Sequence, residues 1–195
     1  MTTRIVGDSA FGCAGQRCLA NSLAVTVGDA RGPFTEAITE KAANLHIGYG
    51  LDEDTEMGPV ISPESRQRIE GFVETGENEG GRILVDGRGK TVDTYKHGNW
   101  SYPTIIDNIS PGSSLAKTEV FGPLFGLMHV DTIDDAIGLI NSQAYGNMAC
   151  LFTSSGAAAR QFRYETTAGN IGINIGVAAP MAYYPFSGWK ESFFG

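Results

Sequence analysis

The residues best suited to chemistry crowd into one short stretch near the start of the chain, Ser9-Ala10-Phe11-Gly12-Cys13-Ala14-Gly15-Gln16-Arg17-Cys18. Cysteine acts as a nucleophile in its thiolate form, and an adjacent cation favours that form. Cys18 follows directly on Arg17, and the alanines and glycines around it leave room for a substrate to approach the sulfur. On this stretch alone two readings stand side by side: a catalytic nucleophile, or a buried structural cysteine of the kind that unpaired thiols commonly are. Cys13, Cys18 and Cys150 form neither a disulfide framework nor a zinc pattern, so no metal is expected. His46, His97 and His129 have no motif context, and a cysteine hydrolase with a histidine partner finds no support in them.

The elements that must position these residues belong to a protein of 195 residues, 42% hydrophobic and 18% charged. That is enough chain for one globular domain with a sizeable core. The 26 glycines exceed an average share of roughly 7%, which predicts many tight turns. A net charge of −8 argues against nucleic acid and against anionic membrane surfaces as partners. Unpaired cysteines suit a reducing compartment, so a cytoplasmic location is the expectation. No apolar run approaches the ~20 residues of a membrane span, and Met1-Thr2-Thr3-Arg4-Ile5 shows no signal-peptide core.

Along the chain, the alanine- and glycine-rich residues 9–20 predict a short helix, and Leu23-Ala24-Val25-Thr26-Val27 a buried strand. A helical period runs over 34–45. Ser62 as an N-cap with Pro63 at the first helical position predicts a helix to about residue 79, stopped by Gly80-Gly81. Strands are expected at 82–87, 102–106, 124–130, 148–153 and 170–175, with helices at 131–141 and 155–165 and a polar surface excursion at 88–102. Alternating strands and helices imply an α/β fold, a three-layer αβα sandwich with a mainly parallel twisted sheet covered on both faces. No dinucleotide fingerprint and no P-loop lysine is present.

Several separated segments, in order, resemble those of the aldehyde dehydrogenase superfamily. Gly15-Gln16-Arg17-Cys18 is similar to its nucleophile segment, and Met57-Gly58-Pro59-Val60-Ile61-Ser62 to a short signature after the first crossover helix. Glu119-Val120-Phe121-Gly122-Pro123 resembles the Glu-x-Phe-Gly-Pro motif, and Asn141 with Tyr145-Gly146 a later asparagine-tyrosine-glycine element. Gly169-Asn170-Ile171-Gly172-Ile173-Asn174 resembles the strand before the substrate loop, and Pro185-Phe186-Ser187-Gly188-Trp189-Lys190-Glu191-Ser192 the closing segment. The arginine before the nucleophile, the loop 176–184 and the ending Ser192-Phe193-Phe194-Gly195 look most like the CoA-acylating methylmalonate- and malonate-semialdehyde branch.

The resemblance implies that Cys18 attacks an aldehyde carbon, that Arg17 grips a carboxylate on the substrate, and that Asn174 and Phe186 shape the pocket. It implies NAD, with Glu119 at the nicotinamide ribose and Phe121 near the ring, and CoA as co-substrate. Cys13 would be a small filler. It also implies that residues 1–195 are the catalytic domain, without most of the cofactor-binding domain and without the oligomerisation strand of a homo-oligomer, so that the chain alone is expected to be inactive. Two alternatives remain at this point: a hydrolytic aldehyde dehydrogenase, and a non-enzymatic truncated or interaction subunit.

Overall fold

The chain, seen in a computed structural model that describes residues 1–193, opens with helix α1 over Thr2–Phe11. Strand β1 (Leu23–Val27), helix α2 (Arg31–Ala43), helix α3 (Pro63–Asn78), strand β2 (Arg82–Val85) and strand β3 (Thr104–Asp107) follow. Next come the one-turn helix α4 (Ser114–Lys117), strand β4 (Leu124–Val130), helix α5 (Ile133–Ser142), strand β5 (Tyr145–Gly146) and strand β6 (Met148–Leu151). Helix α6 (Gly156–Glu165), strand β7 (Asn170–Ile173) and strand β8 (Trp189–Lys190) complete the order.

The main sheet runs β1-β4-β3-β2, with β1, β4 and β3 parallel and β2 antiparallel at one edge. Its central strand, Leu124-Phe125-Gly126-Leu127-Met128-His129-Val130, is buried over its first five residues, as expected of a strand covered on both faces. Register shows what covers it. Ile105 lies opposite Phe125, and Phe125 meets Phe11 of α1 edge-on at 6.2 Å. Ile106 lies opposite Gly126 on the other face, where it packs against Gly76 of α3. Helices therefore occupy both faces. A smaller parallel pair, β6 with β7, has its own apolar cluster of Ile137, Ala149, Phe162 and Ala168.

Caps place the helices where sequence predicts. Ser62 Oγ accepts from the Ser65 amide ahead of Pro63, and Thr132 and Asp135 form a reciprocal capping box on α5. Elsewhere the structure corrects the reading. The first helix spans residues 2–11, because Val6, Ala10 and Phe11 give it a buried stripe, and residues 12–20 turn away from helical geometry. β1 is only half-buried, since it lies at the sheet edge. The stretch 88–102 is not wholly surface: Trp100 is buried and donates from Nε1 to the Tyr95 carbonyl at 2.6 Å. The call on Phe194-Gly195 lies outside the described residues.

At the carboxyl ends of β1, β4 and β3 sits a buried polar knot. Asp107 accepts from Arg82 Nη2 at 2.8 Å, from His129 Nε2 at 2.6 Å and from the Asn108 amide at 2.8 Å. Thr26 Oγ1 pairs with His129 Nδ1 at 2.6 Å. Burial pushes the Asp107 carboxyl up, but the bonds from Arg82 and His129 outweigh it, and the group stays below the usual carboxylate range. A carboxyl whose folded value is depressed lends stability in full above its unfolded value of about 4 and loses it as pH falls towards the folded value. Asp107→Ala is expected to cost roughly 2–4 kcal/mol near neutral pH and to flatten the acid limb of the melting profile; thermal melts across acid pH check both.

Candidate active site

Cys18 is carried by a loop whose backbone is wound the uncommon way. Cys13, Ala14 and Gly15 have φ of 54°, 53° and 66°, three successive left-handed residues of which two bear side chains. Such residues cost on the order of 1–2 kcal/mol each and persist where the surroundings over-determine them. Here Phe11, Ala14 and Leu19 are buried as anchors on either side. A Cβ on Gly15 would overlap the Gly122 carbonyl, so glycine is required both for its φ and for that contact. Gln16 Oε1 accepts from the Ile61 amide at 3.0 Å. Ser9, buried in α1, donates from Oγ to the Gly176 carbonyl at 2.6 Å and accepts from the Asn21 amide at 3.2 Å. Asn147 Nδ2 donates to the Cys18 carbonyl at 2.8 Å.

Those contacts join segments that the sequence presents separately. Residues 15–18 touch 57–62 through Gln16, 119–123 through Gly15, and the segment after Tyr145-Gly146 through Asn147, while Ser9 of α1 joins the loop after β7 to Asn21. The closing segment is bound to the asparagine-tyrosine-glycine element in the same way. Lys190 Nζ donates to the carbonyls of Ile140, Asn141 and Gln143 at the end of α5, and Ser192 Oγ accepts from the Gly146 amide at 3.0 Å. Burial lowers the Lys190 ammonium below its ordinary value. Asn141 accepts from Thr167 and donates to the Glu165 carbonyl, fastening the end of α6.

The predicted site residues fall as follows. Cys18 is exposed. Arg17 is half-buried, forms no ion pair among the described residues, and has a buried Nε without a partner; its guanidinium folds back over Gly12. Glu119 is exposed, and Phe121 is 39% exposed with φ 53°, its carbonyl meeting Arg68 Nη2 at 3.5 Å. The Gly15–Gly122 contact sets both beside the Cys18 loop. Phe186 is exposed and meets Phe193 edge-on at 6.4 Å. Asn174 is committed elsewhere: at φ 57° its amide accepts from Thr153 N and donates to Thr153 O, clamping the turn after β7. Cys13 is exposed, so it fills no core; its left-handed backbone turns the side chain outward. Cys150 differs from both, for burial against Gly172 pushes its thiol up to about 11. Sequence reasoning missed Asn147 and Ser9, whose partners lie far away along the chain.

The model of the aldehyde dehydrogenase family matches residues 2–195. The chain belongs to that family. Among curated relatives, the malonate-semialdehyde dehydrogenase of Halalkalibacterium halodurans is 42% identical over 188 residues, 96% of this chain and 38% of its own length. That of Bacillus velezensis is 43% identical, over 99% of this chain and 39% of its own. Among solved structures, methylmalonate-semialdehyde dehydrogenase from Oceanimonas doudoroffii superposes with a TM-score of 0.95 at 38% identity, over 99% of this chain and 40% of that one. A putative methylmalonate-semialdehyde dehydrogenase from Sinorhizobium meliloti, complexed with NAD, superposes with a TM-score of 0.96 at 33% identity, with the same coverage. This aldehyde dehydrogenase chain thus spans about two fifths of the length of the relatives it matches.

Two results are expected from this geometry. Iodoacetamide near neutral pH alkylates Cys13 and Cys18 of the native chain and spares Cys150 until it is unfolded, as peptide mass mapping will show. Gly15→Ala lowers stability by roughly 2–4 kcal/mol, measured by thermal melting, because backbone rather than a flexible side chain stands in the way.

Proposed function

We propose that this chain carries the nucleophile of an NAD-dependent, CoA-acylating dehydrogenase for aldehydes that bear a carboxylate, malonate or methylmalonate semialdehyde. The observation that carries the reading is an exposed Cys18 directly after a half-buried Arg17 that has no ion-pair partner among the described residues. A planar guanidinium fork matches a carboxylate in two-pronged fashion, and a half-buried arginine without a protein anion is suited to receive one from a substrate. The names of the relatives point to the same substrate class.

In this mechanism the Cys18 thiolate attacks the aldehyde carbon and forms a thiohemiacetal on its own sulfur. The Cys18 amide N–H donates to no acceptor among the described residues, which leaves it available to the developing oxyanion. Exposed Glu119 and Phe121, the latter held in a left-handed backbone conformation beside the loop, fit the ribose and ring of a nicotinamide. NAD, when bound, supplies the hydride acceptor that leaves an acyl thioester on Cys18. Phe186 walls the pocket, and Asn174 sets the loop that follows β7. The thiol of CoA then takes the acyl group from Cys18. Most of the dinucleotide contacts belong, in this proposal, to parts of the enzyme outside these 195 residues, in a cytoplasmic homo-oligomer; residues 1–195 are its catalytic domain and are inactive as a dehydrogenase alone.

The acyl-transfer half-reaction tests this without a dinucleotide. Malonyl-CoA is expected to transfer its acyl group to Cys18 of the chain, detected by intact and peptide mass spectrometry. Arg17→Gln is expected to slow that transfer roughly tenfold to a hundredfold while acetyl-CoA transfer stays unchanged, consistent with a lost charge-assisted pair. Equal slowing with both donors, or acylation at Cys13 instead, would sink the assignment. Titration calorimetry should find NAD binding by the chain alone no tighter than millimolar; micromolar binding would contradict the division of labour proposed.

A further inference from the structure

The turn that carries Cys18 is held at its own carbonyl by a residue 129 positions later. Asn147 lies half-buried between β5 and β6, and among the described residues its side chain makes one hydrogen bond, the 2.8 Å bond from Nδ2 to Cys18 O. Its main chain is fixed separately. The Asn147 carbonyl accepts from the Asn170 amide at 3.0 Å and from Asn170 Nδ2 at 3.1 Å, and the same Nδ2 donates to Ser187 O at 3.1 Å. The side chain thus stands on a platform pinned from β7 and from the segment that bears Phe186.

Nothing else described fastens the Cys18 carbonyl. The thiol is exposed, so packing does not set its direction. The neighbouring turn closes through Arg17 O and Ala20 N, on either side of Cys18 rather than at it. The Asn147 bond therefore restrains the backbone torsion that aims Sγ. Side-chain substitution at this position leaves the backbone ladders of β5 with β8 and of β6 with β7 intact.

We propose that Asn147 is a positioning residue for the nucleophile: it holds the Cys18 peptide so that the sulfur faces the substrate pocket, and the Asn170 platform keeps that aim in register with the Phe186 segment. The inference rests on the reading of Cys18 as the nucleophile and adds a residue whose role is donation to one carbonyl. Displacing a reacting atom by about an ångström can cost on the order of a hundredfold in rate, whereas a single partly exposed hydrogen bond contributes only about 1 kcal/mol to folding. Reactivity and stability should therefore separate.

The test follows the rate of Cys18 modification by a dithiodipyridine relative to that of Cys13, by peptide mass spectrometry, in the 195-residue chain. Asn147→Ala and Asn147→Asp are expected to lower the Cys18:Cys13 ratio about tenfold or more near neutral pH, with the melting temperature lowered by no more than about 4 °C. A carboxylate has no donor, but its protonated form does. The Asn147→Asp ratio should therefore recover as pH falls to about 4, and the Asn147→Ala ratio should not. A ratio within about twofold of the parent in Asn147→Ala, or parallel slowing of Cys13 and Cys18, would overturn the proposal. A parent chain whose Cys18 is neither modified by the reagent nor acylated by malonyl-CoA would overturn the nucleophile reading instead, so the two failures are distinguishable.

Discussion

Much of this structure depends on a left-handed run of three residues seated against a carbonyl. Cys13, Ala14 and Gly15 reverse the chain between α1 and Cys18, and Gly15 lies so close to Gly122 that no side chain fits between them. The unfavourable conformation is affordable only because both sides are fixed: Phe11 and Ala14 are sunk in the main core, and Gly122 packs on Ile69 of α3. This constraint brings the cysteine loop and the Glu119–Phe121 face together. Gln16, Ser9 and Asn147 then add single hydrogen bonds from three other parts of the fold.

Such an arrangement explains how short segments scattered along the chain work together. Each is small, and none is a site alone. Gly122 serves Gly15; Ile61 serves Gln16; Lys190 and Ser192 serve the end of α5 and Gly146. Their chemistry is mostly main-chain fastening, which demands particular residue types without touching a substrate. Cys18, Arg17, Glu119 and Phe121 remain over from that fastening: three are exposed, and Arg17 forms no ion pair among the described residues.

The parts legible in the sequence were those governed by local rules. Ser62-Pro63 marks a helix start through a bond spanning three residues, the acidic residues of 131–135 place the start of α5 to within two residues, and the apolar run 124–130 announces its own burial. What stayed hidden was non-local or against propensity. The alanines over 9–20 favour a helix, yet Cys13 and Ala14 adopt the opposite hand beside the close Gly15–Gly122 contact. Trp100 in a polar stretch is buried by a bond to Tyr95 and by close packing on Gly98. Asn147 reads as the tail of a motif, since nothing near it in sequence indicates Cys18 as its partner.

Lys190 shows how distant stretches share one fate. Its ammonium donates to three carbonyls at a helix end, of which Asn141 O and Gln143 O would otherwise be left to water, and it sits at the negative pole of α5. Neither the last turn of α5 nor residues 189–192 can open without exposing groups of the other. They form one cooperative unit for hydrogen exchange. Through Asn170 and Asn147 this unit reaches the turn that bears Cys18, so slow breathing at the far end of the chain would be felt at the sulfur.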